Sequence, residues 1–185
     1  MTGRLIAVVG PSGVGKDSLI EGMIAGWPKL QRVRRVITRP AAAGGEDFEG
    51  VSVDRFNKMI AAGAFALHWE AHGLKYGIPT QAYDDVLAGA ELIANLSRSK
   101  LAEAAEAFPH MHILSVTASP EILAKRLAVR GRESEEDIAR RLARRASTPP
   151  RGVPLTVIDN SGSLQASVNA ALFTLRAGCS TSAAE

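Results

Sequence analysis

Leu5-Ile6-Ala7-Val8-Val9-Gly10-Pro11-Ser12-Gly13-Val14-Gly15-Lys16-Asp17 is the stretch whose reading decides the fold. The apolar run Leu5 to Val9 predicts a short strand buried on both faces, and the glycines at 10, 13 and 15 predict a tight loop after it. Leu19, Ile20, Met23 and Ile24 then recur at helical spacing, and Gly26 with Pro28 ends the helix. A buried strand, a glycine-rich turn and a lysine opening an amphipathic helix make a phosphate-binding loop. Gly10, Pro11, Ser12, Gly13, Val14 and Gly15 wrap backbone around phosphate oxygens, and Lys16 adds a point charge for the β- and γ-phosphates. The helix N-terminus contributes its positive dipole end, and Ser18 reaches toward the α-phosphate. Asp17 stands where such loops usually carry Ser or Thr. Two readings of it stay open: a carboxylate holding Mg2+ directly or through water, and an acidic residue favoured in a first helical turn by the dipole.

Outward from this loop, a chain of 185 residues has the length of one well-packed domain. Its 46% hydrophobic and 22% charged content is that of an ordinary globular protein, and no run approaches the ~20 apolar residues of a membrane span. The N-terminus enters the first strand without a signal-peptide pattern, so a cytoplasmic protein is expected. Cys179 is the single cysteine, which excludes an intramolecular disulfide and a cysteine-based metal centre. The net charge of +3 hides a bias toward arginine, clustered at Arg32–Arg39 and Arg126–Arg145. The planar guanidinium fork suits bidentate phosphate contacts, so a polyanionic small molecule is the expected partner. Nucleic acid fits less well, because only 5% of residues are aromatic and no basic stripe is interleaved with stacking side chains.

Apolar runs alternate with helical periods along the chain, predicting an α/β fold of three layers around a parallel sheet of about five strands. Strands are expected at Val33 to Ile37, Glu91 to Asn95, His112 to Thr117 and Val153 to Ile158. Helices are expected at Asp54 to Ala62, Lys100 to Phe108, Pro120 to Gly131 and Leu164 to Leu175. Ser134-Glu135-Glu136-Asp137 resembles a capping box opening a further helix to about Ser147. Between Thr38 and about Asp85 the periodicity weakens into short pieces, the pattern of an inserted subdomain, and 178–185 is expected to be a disordered tail.

The combination of Gly10–Lys16, Thr38-Arg39-Pro40, Gly45-Glu46, Glu70-Ala71-His72-Gly73, Tyr76-Gly77 and Arg130-Gly131-Arg132-Glu133-Ser134 resembles the guanylate kinase-like P-loop kinases over nearly the whole chain. That resemblance implies a P-loop core, an acceptor-binding insert at about 38–85, a mobile helical lid at about 128–150, and ATP with Mg2+ as cofactors. It is incomplete where guanylate kinases read GMP. Ala41-Ala42-Ala43 leaves no second acceptor arginine, Ile78 replaces a base-reading Ser/Thr, Asp47-Phe48 replaces an Asp-Tyr pair, and Asn95-Leu96-Ser97-Arg98 replaces an Asp-x-Asp. A site that selects a base through hydrogen bonds loses that selectivity with those groups. Gly15-Lys16-Asp17-Ser18 and the segment Phe65 to Pro79 are similar to a branch of the family that phosphorylates the 1-phosphate of ribose 1,5-bisphosphate, giving 5-phosphoribosyl 1-diphosphate.

The resemblance implies roles for further residues. Lys16, Arg130 and Arg141 would stabilise the transferring phosphoryl group, with Arg126 and Asn160 beside the nucleotide. Arg39 would bind an acceptor phosphate with Tyr76 as hydroxyl partner, while Glu70 and His72 would contact ribose hydroxyls. Bland alternatives remain for several of these: Asp137 and Arg141 have the i,i+4 spacing of a solvated ion pair, and a histidine such as His72 is often a satisfied wall residue. A nucleoside monophosphate kinase, and a non-catalytic module derived from such a kinase, are the competing functions. Retention of Lys16 and the loop glycines speaks against the second.

Overall fold

The computed structural model describes residues 3–40, 47–130 and 148–180. The chain begins with β1 (Arg4–Val9), whose residues from Leu5 onward are buried, followed by the loop and α1 (Lys16–Gly26). Next come β2 (Leu30–Arg32), β3 (Arg35–Ile37), β4 (Phe48–Gly50), α2 (Val53–Ala61), β5 (Phe65–Ala71), β6 (Leu74–Pro79) and α3 (Thr80–Leu87). The second half holds β7 (Glu91–Asn95), α4 (Leu101–Ala107), β8 (Met111–Thr117), α5 (Pro120–Arg130), β9 (Leu155–Asp159) and α6 (Leu164–Ser180).

Five strands form a central parallel sheet in the order β2-β7-β1-β8-β9. Strict alternation along β1 feeds two cores. Leu5, Ala7 and Val9 pack with Val86, Leu92, Phe108 and Ile113 on one face; Ile6 and Val8 pack with Leu19, Met23, Leu123 and Val168 on the other. This is the expected three-layer arrangement. Because β1 is central, with β7 and β2 to one side and β8 and β9 to the other, its carboxyl end lies where an open α/β sheet forms its ligand crevice.

A second sheet, β4-β3-β6-β5, occupies the inserted region; β3 and β4 run parallel and the other pairs antiparallel. Here the structure corrects one expected strand. Val33 to Ile37 is not continuous: Val33 N–H still bonds the Ile93 carbonyl at 2.9 Å beside the central sheet, whereas Arg35 already pairs with Phe48 in the second. The chain changes sheets at Arg34, and an apolar pattern does not record which partner a strand takes. The helix expected at Asp54 to Ala62 is α2, capped by Ser52, whose hydroxyl accepts from Arg55 N–H at 3.2 Å. The final helix continues past Leu175 to Ser180. The capping box at Ser134, the expected lid helix and 181–185 lie outside the described residues.

At the opposite end of the central sheet from the loop, His112 bonds the Thr156 hydroxyl through Nε2 at 2.8 Å. Burial, and secondarily the Arg4 guanidinium, lower its pKa to about 4. A histidine whose folded pKa lies below its unfolded value favours folding fully above the unfolded pKa. That contribution is lost as pH falls from about 6.5 toward about 4, because only the unfolded chain takes up the proton readily. Allowing for solvent screening of this half-buried ring, the loss amounts to ~1–2 kcal/mol. Urea unfolding between pH 7 and pH 4 checks it: His112→Gln flattens the slope, and an unchanged slope assigns the acid sensitivity elsewhere.

Candidate active site

The loop between β1 and α1 is held open by its glycines. A Cβ on Gly10 would lie 2.4 Å from the Val116 carbonyl oxygen, so only glycine lets the loop leave β1 against β8. Gly15 has φ of 90° and precedes Lys16 as the N-cap of α1; a Cβ there would lie 2.7 Å from Asn160 Nδ2. That amide cannot move aside cheaply, because Asn160 is buried and donates to the Val14 carbonyl at 2.8 Å. Gly15→Ala is expected to destabilise the fold by ~1–3 kcal/mol and to weaken ATP binding in parallel, readable by thermal melting and nucleotide titration. A stable variant with normal ATP affinity would remove the case for a strained loop.

Lys16 Nζ donates to the carbonyls of Gly10 at 2.9 Å and Pro11 at 3.0 Å, which sets the ammonium across the loop. Ser12, Gly13, Gly15, Lys16, Asp17 and Ser18 line a cavity of about 180 Å³. Asp17 Oδ1 accepts a hydrogen bond from Asn95 Nδ2, so the carboxylate is tethered to the end of β7. A neighbouring cavity of about 440 Å³ is lined by Gly13, Gly15, Ser18, Lys125, Arg126, Asn160 and Leu164. Arg126 reaches back from α5, donating to the carbonyls of Val14 at 3.2 Å and Asn160 at 2.9 Å. These carbonyl partners leave the guanidinium charge unneutralised at those contacts, beside a cavity suited to an anion. The structure thus gathers Gly10–Ser18, Arg126 and Asn160 at the carboxyl end of the central sheet. Asn160 serves there as a clamp on the loop as well as a wall of the larger cavity.

The acceptor-side residues are distributed differently. Tyr76 stands opposite Trp69 in the β5–β6 pair, and the rings stack at 5.4 Å and 8°. Arg35, itself buried, lies over both rings at 5.2 and 5.9 Å and donates to the Asn95 carbonyl at 3.0 Å. Glu70 pairs with Lys75, so it projects from the hairpin face opposite Tyr76 and is exposed. His72 is exposed at the hairpin tip; with φ of 53°, followed by Gly73 at 71°, it supplies the left-handed pair of a two-residue turn. The structure therefore does not bring Glu70 and His72 onto the Tyr76 face. Arg39 stacks its guanidinium 4.4 Å from the Phe48 ring centre.

Arg130 ends α5, with its side chain outside the described part, and Arg141 lies outside the described residues altogether, as do Gly45 and Glu46. Sequence reasoning passed over Arg35, Phe48 as a guanidinium platform, and the direct contact of Asn95 with Asp17. The polar residue closing the apolar run Leu92-Ile93-Ala94-Asn95, at the loop end of the sheet, was the available signal for the last. Among the described residues, no helix is long and apolar enough to cross a membrane.

A parallel sheet with a glycine loop and lysine at its switch point is the core of the P-loop kinases, and here it carries a second mixed sheet as an insert. The guanylate kinase family model matches residues 2–150. Ribose 1,5-bisphosphate phosphokinase PhnN of Ruegeria sp. (strain TM1040) is 50% identical over 168 residues, covering 90% of this chain and 88% of that relative. The protein of the same name from Agrobacterium fabrum is 46% identical over 164 residues, covering 87% of this chain and 90% of the relative. The chain belongs to the guanylate kinase family and, within it, to the ribose 1,5-bisphosphate phosphokinases. Among solved structures, guanylate kinase from Anaplasma phagocytophilum is similar with a TM-score of 0.70 at 20% identity, over 96% of this chain and 86% of that one. A sugar kinase from Janibacter sp. HTCC2649 is similar with a TM-score of 0.57 at 16% identity, over 95% of each chain. Both likenesses concern the fold alone.

Proposed function

We propose that this protein transfers the γ-phosphoryl group of ATP to the 1-phosphate of ribose 1,5-bisphosphate, giving 5-phosphoribosyl 1-diphosphate and ADP. Membership of the ribose 1,5-bisphosphate phosphokinase family is the observation that carries the reading. The acceptor oxygen attacks the γ-phosphorus as the bond to the ADP oxygen breaks. A phosphate oxygen is already anionic at neutral pH, so the step needs no general base; positioning and charge stabilisation supply the catalysis.

Within this reading, the loop and α1 N-terminus bind the triphosphate, and Lys16 stabilises charge on the transferring group. Arg126 and Asn160 support the loop beside the nucleotide. Asp17 provides a hard oxygen donor at the phosphate cavity, which fits Mg2+; when bound, the cation would neutralise phosphate charge, while Ser18 reaches toward the α-phosphate. Arg39 takes an acceptor phosphate and Tyr76 adds a hydroxyl, while Arg130 and Arg141 close over the phosphoryl group from the lid. Glu70 and His72 contribute to ribose binding only through a rearrangement of the hairpin, given their exposed positions. A kinase fed by ATP belongs in the cytoplasm.

Incubating the protein with ATP, Mg2+ and ribose 1,5-bisphosphate tests the reading, with ADP and phosphoribosyl diphosphate as the expected products. Rapid phosphorylation of GMP with no turnover of the sugar bisphosphate would replace it with a nucleotide kinase.

A further inference from the structure

Strand alternation puts Arg35, Ile37, Phe48, Trp69 and Tyr76 on one face of the second sheet: Arg35 is in register with Phe48, Ile37 with Tyr76, and Tyr76 with Trp69. Arg35 is charged, yet only 7% exposed. Its guanidinium lies 5.2 Å from the Tyr76 ring centre and 5.9 Å from that of Trp69, and Nη1 donates to the Asn95 carbonyl at 3.0 Å. An aromatic face engages the flat side of a guanidinium rather than its N–H edge, so these contacts set the place of the fork. Asn95 ends β7, and its side chain touches Asp17 of the phosphate cavity. Phe48, opposite Arg35, is the ring on which Arg39 stacks. Arg35 thus stands between the phosphate loop and Arg39, beside the tyrosine assigned to the acceptor phosphate.

The acceptor chemistry calls for a second cation at that place. A phosphate monoester carries about two negative charges at neutral pH, and it must approach the γ-phosphate of ATP against repulsion. One guanidinium balances one of those charges, and Ala41-Ala42-Ala43 after Arg39 supply no other. We propose that Arg35 is a specificity-determining residue: its fork binds the 1-phosphate of the acceptor, the one that reacts, and with Arg39 offsets its charge on the loop side of the insert. A guanidinium fixed before substrate arrives favours a phosphate over an uncharged sugar hydroxyl at little cost in ordering. The inference rests on the proposed reaction.

Acceptor kinetics with two fragments of the substrate test it. Arg35→Met keeps an apolar stem against the rings and removes the fork; it is expected to raise the KM for ribose 1,5-bisphosphate about 10- to 30-fold, with the KM for ATP within about twofold of normal. Ribose 1-phosphate, as a competing ligand, weakens by a similar factor, whereas ribose 5-phosphate, which lacks the reacting phosphate, changes less than about twofold. A role in packing alone moves both fragments together, so equal losses overturn the proposal. A normal acceptor KM in a variant whose melting shows it folded overturns it as well. So does a fall confined to kcat, which moves the guanidinium to the transferring group. Should Arg35→Met fail to fold, Arg35→Lys carries the test: it keeps the charge without the fork, so a several-fold rise in the acceptor KM is expected and an unchanged KM overturns the proposal. If the unmodified protein phosphorylates GMP and leaves the sugar bisphosphate untouched, the proposed function falls. Arg35 is then judged on the KM for GMP, whose single phosphate takes the same place; a rise of about tenfold in Arg35→Met supports the assignment and a normal value overturns it.

Discussion

Lys16→Ala lowers kcat by ~10³-fold or more, a loss of ~4 kcal/mol of transition-state stabilisation, while ATP affinity falls far less. The asymmetry follows from what remains. The loop's backbone N–H groups and the α1 dipole still bind the triphosphate in its ground state. The ammonium is set across the loop by the Gly10 and Pro11 carbonyls, and in the proposed reaction it is the charge that meets phosphoryl oxygens as the bond to ADP lengthens. Lys16→Arg rescues little, because a planar fork does not fit the place of a compact ammonium. Steady-state kinetics with ATP titration checks the split between kcat and KM. A variant retaining more than a tenth of the normal kcat would shift the essential charge to another group, with Arg126 the first to test because it already bonds the Val14 carbonyl.

The phosphate loop was legible because everything that makes it is local: five apolar residues, a turn that only glycine relieves, and a helix. Glu91 to Asn95 was equally plain, because a strand buried on both faces writes itself as an apolar run. The insert was not legible in detail. Its strands are as short as three residues, and the change of sheet at Arg34 depends on partners far away in the chain. The hairpin shows how a motif can hide geometry. His68-Trp69-Glu70-Ala71-His72 reads as a cluster of polar and aromatic groups, but strand alternation sends Trp69 inward and Glu70 outward, while His72 forms the turn. Periodicity was present in the sequence; only pairing with Lys75, Tyr76 and Gly77 assigns the faces. The tether between Asp17 and Asn95 spans 78 positions, a proximity that no local pattern encodes.

Arg39→Ala raises the KM for ribose 1,5-bisphosphate by about 30- to 100-fold, with the KM for ATP unchanged. The magnitude corresponds to losing a charge-assisted contact of ~2–3 kcal/mol with an acceptor phosphate. Two features support so large an effect for one side chain. Phe48 lies under the guanidinium with its ring centre 4.4 Å away, and Phe48 is itself buried, so the fork has a fixed plane before substrate arrives. Moreover, Ala41-Ala42-Ala43 supplies no second arginine in the following positions to share the load. Arg39→Lys keeps the charge and loses the bidentate plane, so it should recover only part of the affinity. Phe48→Leu tests the platform: it preserves apolar bulk but removes the π face, and a KM increase of a few-fold is expected. If Arg39→Ala instead lowers kcat and leaves the acceptor KM unchanged, the guanidinium acts on the transferring phosphoryl group, and the acceptor phosphate is bound elsewhere in the insert. Should Phe48→Leu prove as damaging as Arg39→Ala, the ring is the stronger determinant, and the arginine acts chiefly by packing over it.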